Sequence, residues 1–139
     1  ALLEADRPTD AEPRFRAALA ESPSAAAHVG LARTLEALGN WEGAEAAYER
    51  AVETLPSYGP AALGLAELQW SAGRHVDALQ TLVTFLELDP AHVDGLVRLG
   101  RWLSALGRSE QAVRALERAL RLAPDHEAAR VELERIGGR

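Results

Sequence analysis

The feature that most restricts this chain is a recurrence at a fixed step: Pro56, Pro90 and Pro124 stand 34 residues apart, and so do Gly39, Gly73 and Gly107. The same step joins Ala44, Ala78 and Ala112, then Leu31, Leu65 and Leu99, and then the small residues Ala32, Ala66 and Gly100. Coincident series of this kind mean that one structural unit is repeated. A period of about 20 to 50 residues belongs to arrays of supersecondary units, each too small to bury its apolar face alone.

Each recurrent residue has a task in a pair of antiparallel helices, A and B. A residue just past a helix end often takes the left-handed conformation, which glycine accepts without a side-chain clash. Gly39, Gly73 and Gly107 therefore close helix A and let the chain reverse. Asn40 and Ser109 are placed to cap the following helix B through their side-chain oxygens, whereas Arg74 in the middle hairpin cannot. The alanines suit a close crossing of two helices, where a larger side chain would force the axes apart. The prolines stop helix B, because proline lacks an amide hydrogen and restricts the residue before it. Leu31, Leu35 and Leu38 share one helical face, as do Leu96, Leu99, Leu103 and Leu106, and no alternation of period two is present. The spacing predicts helices A near residues 25–38, 60–72 and 93–106, and helices B near 41–54, 75–88 and 109–122.

The flanks continue the scheme. Ala11, Phe15, Ala18 and Pro23 have the spacing of a helix B displaced by one residue, which places an added residue in the loop at Ser22–Ser24. Ala1–Ala5 read as the last turns of a helix A. After Pro124, Asp125 is placed to cap a final helix of more polar character, the solvated end that a stacked array requires, with Gly137 available to terminate it. The organisation expected is one all-α domain over 1–139: a partial repeat at 1–23, repeats at 25–58, 59–92 and 93–124, and a capping helix at 125–136. Methionine is absent, and we read the chain as a piece of a longer protein.

Composition agrees with close-packed helices, since alanine and leucine are abundant and only 5% of residues are aromatic. A net charge of −6 without a dense basic stripe gives little to gain from counterion release, so nucleic acid is a poor partner, and an acidic membrane surface is equally unattractive. No apolar run approaches membrane-spanning length, so membrane insertion is not expected. The opening residues have neither the basic start nor the apolar stretch of a signal peptide. The compartment stays open; a soluble protein of the cytoplasm, or of the periplasm if bacterial, is expected. Cysteine is absent, which excludes disulfides and thiolate metal sites.

These residues resemble the tetratricopeptide repeat (TPR) family over nearly the whole chain. In the repeat beginning at Ala25 the family pattern is met by Leu31, Ala32, Leu35, Gly39, Ala44, Tyr48, Ala51 and Pro56. In the repeat beginning at Val93 it is met by Leu99, Gly100, Leu103, Gly107, Ala112, Leu116, Ala119 and Pro124. The middle repeat departs at Gln69, where an apolar residue is usual, and at Phe85, where alanine is usual. We expect Gln69 to turn toward solvent and the Phe85 ring to fill the vacated volume. The tryptophan usual near the start of helix A is replaced by His28, Ala62 and Leu96.

The resemblance implies a right-handed superhelix whose A helices line a concave groove that grips a peptide or helix of a partner protein. The groove-facing positions are Val29, Arg33 and Glu36, then Leu63, Glu67 and Trp70, then Val97, Arg98, Arg101 and Ser104. Apolar residues flanked by charge suit a short amphipathic segment. Trp70 is either an exposed anchor of the interface or a ring folded back between repeats, whereas Trp41 and Trp102 are expected in the core or at turns. Arg33, Arg98 and Arg101 together could attract a carboxylate-rich segment. The clamp by which some members hold chaperone tails is matched at Arg98 alone, with Val29, Arg33, Gly64 and Asp94 at its other positions. The function implied is that of a scaffold or adaptor. The alternatives are a self-assembling module that forms homo-oligomers through repeat edges, or the recruiting arm of a larger enzyme.

No catalytic, cofactor-binding or metal-binding residues can be assembled from the sequence. His126 and Glu127 begin like a zinc-protease helix, but Arg130 stands where the second histidine belongs. His92 and His126 occupy equivalent loop positions one repeat apart, and His28 and His75 are isolated. Glycines occur singly at helix ends and form no phosphate-cradling loop. Glu42, Glu45, Glu49 and Glu53 follow helical spacing as a solvated outer face.

Overall fold

A computed structural model describes residues 8–137. They form α1 (Pro8–Glu21), α2 (Ala25–Ala37), α3 (Trp41–Thr54), α4 (Gly59–Ser71), α5 (His75–Leu88), α6 (Val93–Ala105), α7 (Ser109–Leu122) and α8 (Glu127–Gly137), with no strand among the described residues. The helix end expected at Ala1–Ala5 lies outside the described residues. None of these helices is long and apolar enough to cross a membrane.

The reversals between α2 and α3, α4 and α5, and α6 and α7 are one turn used three times. Gly39, Gly73 and Gly107 have φ of 80°, 83° and 79°, the left-handed region in which a side chain is strained. The amides that follow reach back to the helix just ended: Asn40 N donates to Leu35 O at 2.8 Å, Arg74 N to Gln69 O at 2.9 Å and Arg108 N to Leu103 O at 2.9 Å. Carbonyls that the helix end would leave unpaired are thus satisfied by the turn itself.

Helix starts are less uniform. Ser24 Oγ accepts from Ala27 N at 3.1 Å and Asn40 Oδ1 from Gly43 N at 2.9 Å, so α2 and α3 carry side-chain caps. Ser109, expected to cap α7, is instead its first helical residue, and Arg108 at the cap position makes no side-chain cap bond. Asp125 does not cap α8 either. His126 does, its Nδ1 accepting from Ala129 N at 3.3 Å, and His92 caps α6 in the same way from Gly95 N at 3.0 Å. Imidazoles in equivalent loops thus stand in for the usual short oxygen acceptors.

The chain divides into two compact units, residues 1–81 and 82–139. In the first, α2 packs against α1, α3 and α4, and α3 against α4. Ala32, Ala44, Ala51 and Ala61 are wholly buried where these helices cross, with Leu31, Leu35, Leu65 and Tyr48 filling the space between. Gln69 does not turn to solvent as expected. It is half-buried, and its Oε1 accepts from the Thr81 hydroxyl at 2.7 Å, which supplies the partner that a polar side chain needs there.

In the second unit α7 packs on α6 and α8, and α6 also meets α8. Leu82, Phe85, Leu96 and Leu116 are its largest fully buried side chains. A Cβ at Gly100 would fall 2.5 Å from Leu116 Cγ and 3.3 Å from the Ala112 carbonyl oxygen, so the small residue sets how closely α6 approaches α7. Beneath the polar exterior of α8, Ala129, Glu132 and Ile136 are buried, and Arg135 holds the Glu132 carboxylate through its Nε at 2.9 Å and through a second guanidinium contact.

Candidate partner-binding surface

Helical spacing puts Val29, Arg33 and Glu36 on one line of α2, and Leu63, Glu67 and Trp70 on one line of the adjacent α4. Val29 is buried in the core of its unit and offers nothing to a partner. Arg33 and Glu67 are exposed, while Glu36, Leu63 and Trp70 are half-buried. The Trp70 ring lies tilted against His75, centroid to centroid at 4.0 Å.

Between these two lines stands a residue that sequence reasoning did not place in the site. Tyr48 rises from α3 and passes under α4 at Gly64, where an added Cβ would fall 2.3 Å from Tyr48 Cε1. Its ring is buried, with Glu36 and Arg33 near its hydroxyl. Burial first, and then the Glu36 carboxylate, pushes the phenol well above its ordinary value, so it stays protonated. The signal was available, since the positions one and two repeats on are Leu82 and Leu116, which carry no hydroxyl.

In the second unit Val97 and Ser104 are buried. Arg98 is half-buried, its guanidinium carbon 5.8 Å from the centroid of Trp102, and burial, with Arg101 adding like charge, lowers its pKa. Arg101 is exposed. Of the residues expected to meet a partner, Arg33, Glu36, Leu63, Glu67 and Trp70 come together on the first unit, while Arg98 and Arg101 lie on α6 of the second.

Two further expectations need correction. Trp41, expected in the core or packed on a turn, does follow the Gly39 turn at the start of α3 but is 59% exposed. Glu45 is not merely solvated: Arg74 Nη2 donates to its Oε1 at 2.6 Å and ties α3 to the turn that follows α4.

Tetratricopeptide repeat models match residues 1–60 and, in a second form, residues 39–87 and 69–132. The chain belongs to the tetratricopeptide repeat family. Its fold is accordingly an all-α helical-repeat solenoid. Among curated proteins it is 36% identical over 106 residues to human FK506-binding protein-like, covering 70% of this chain and 30% of that protein. It is 35% identical over 107 residues to the Arabidopsis thaliana protein CTR9 homolog, covering 76% of this chain and 10% of the relative. The TPR chain thus spans less than a third of the length of these relatives. Among solved structures it is similar to a tetratricopeptide repeat protein of Parabacteroides merdae, with a TM-score of 0.82 at 22% identity over 94% of this chain and 54% of that one. The first TPR of Spaghetti (RPAP3) bound to an HSP90 peptide gives a TM-score of 0.74 at 20% identity over 84% and 93%. YrrB, described as a TPR protein with an unusual peptide-binding site, gives 0.74 at 23% identity over 91% and 66%.

Proposed function

We propose that this TPR chain is a protein-interaction module that holds a peptide or helix of a partner against its A helices. The observation that carries the reading is the face shared by α2 and α4, where exposed Arg33 and Glu67 flank half-buried Leu63 and Trp70. The core of the unit does not require this mixture of charge and partly buried aromatic surface, whereas a partner segment with alternating apolar and charged side chains matches it. The peptide-bound TPR of RPAP3 and the peptide-binding site of YrrB support the use of this fold to hold peptides. On the second unit, Arg101 offers the exposed charge that an acidic side chain of the partner would meet.

The test is capture of partners from a lysate of the source cells by the wild-type chain, Trp70→Ala and Arg101→Glu, with helicity checked by circular dichroism. The reading expects Trp70→Ala to weaken retention of a specific partner about tenfold or more, in the range typical of an interface anchor. Unchanged retention by both folded variants would remove these faces from consideration. Sizing chromatography of the same samples separates partner binding from association between copies.

A further inference from the structure

A cavity of about 500 Å³ lies within the first unit between α1, α2 and α3, lined by different side chains from the face proposed above. Its floor is apolar, made chiefly by half-buried Leu19 above the buried Leu31 and Leu35, and its basic lining is Arg16 and Arg50, with the His28 imidazole beside them. No carboxylate lines it among the described residues, although the chain as a whole carries a net charge of −6. Arg16 is steadied from outside the lining by Glu12, whose Oε2 accepts from Arg16 Nε at 2.8 Å. A guanidinium has five donors, so that bond leaves the outer edge of its fork unused by Glu12. Arg50 is exposed at the rim. His28 is only 9% exposed, and burial together with the Arg50 charge lowers its pKa, with Glu53 opposing. The cavity thus joins an apolar floor to a cationic rim, at a size usual for a ligand pocket.

We propose that this cleft is a second docking site, one that takes a short acidic peptide segment with its leucine-like side chains on the floor and a carboxylate between Arg16 and Arg50. Charge complementarity and shape select this occupant. Arginine forks match carboxylates in paired, charge-assisted hydrogen bonds. Half-buried Leu19, above the buried Leu31 and Leu35, favours an apolar body over the sugar and phosphate of a nucleotide. The site stands independently of the face on α2 and α4, since none of the residues named for that face lines it.

Fluorescence polarisation with labelled acetyl-Leu-Asp-Leu-Leu-Glu-amide tests the assignment, with the same peptide carrying lysine for both acidic residues as the control. Binding of the acidic peptide, and not of the basic one, is expected for the wild type and for Trp70→Ala. Arg50→Glu should weaken it about tenfold or more, and Ala46→Trp, from an exposed position on the lining, should abolish it. The Arg16→Glu, Arg50→Glu double variant should transfer binding to the basic peptide. In proton NMR the His28 imidazole should titrate at higher pH when the acidic peptide is bound, because a carboxylate beside it favours the charged ring. Absence of binding to the wild type, or equal binding by folded Arg50→Glu and Ala46→Trp, overturns the proposal. So does binding of decanoate in place of the peptide, which would make the cleft a site for free amphipathic acids. Arg50→Ala repeats the charge test if Arg50→Glu fails to fold.

Discussion

A methyl group placed on Gly64 would meet the ring of Tyr48 at 2.3 Å, a distance that real side chains do not hold, so the ring or α4 must move. Alanine is the better helix former by about 1 kcal/mol, yet Gly64→Ala is expected to lower stability by about 1–3 kcal/mol because overpacking dominates. Urea unfolding midpoints of the variant and wild type check the sign. His28 makes a different prediction. Its folded pKa lies below the ordinary value of 6.5, so the unfolded chain binds the proton more readily. The stability this group contributes is complete above about pH 6.5 and is lost as pH falls from there toward the folded pKa. Unfolding midpoints measured at pH 7.5 and 5.5 should therefore differ less in His28→Asn than in the wild type.

At the scale of the element, Asn40→Ala should cost about 1 kcal/mol because it removes the acceptor for Gly43 N. Ser109→Ala should stay within about 0.5 kcal/mol, since that hydroxyl caps nothing. Thermal unfolding of the two variants side by side decides between the cap assignments. Helix positions were legible because the repeat fixes them twice, by the glycine that closes helix A and by the proline beyond helix B. Thus α3 and α5 run over Trp41–Thr54 and His75–Leu88, the spans that the spacing predicts. Cap chemistry was less legible. The rule for short oxygen acceptors points to Ser109 and Asp125, one position away from the residue at the α7 cap in one case and from the capping His126 in the other. A spacing argument good to a residue or two cannot separate a cap from its neighbour. Nor could it show that Arg74 would bind Glu45, because that pair joins residues 29 apart across two helices.

Across the whole molecule each unit has its own buried side chains, and a defect in one should register there first. Ile136→Ala removes part of the apolar underside of α8 and is expected to cost about 2 kcal/mol. Hydrogen exchange should then quicken in the amides of α6 to α8 more than in those of α2 to α4. The proposed face was partly legible: periodicity puts its residues on one line of each A helix, but burial removes Val29, Val97 and Ser104 from it. The cleft between α1, α2 and α3 was invisible because its basic side chains, Arg16, His28 and Arg50, come from three different helices. At Gly39, Gly73 and Gly107 nothing stands within 4 Å of where a Cβ would point, so these turns test stereochemistry and are indifferent to bulk. Asparagine, large but at ease with positive φ, belongs there more readily than compact valine, whose branched Cβ is excluded by the backbone alone.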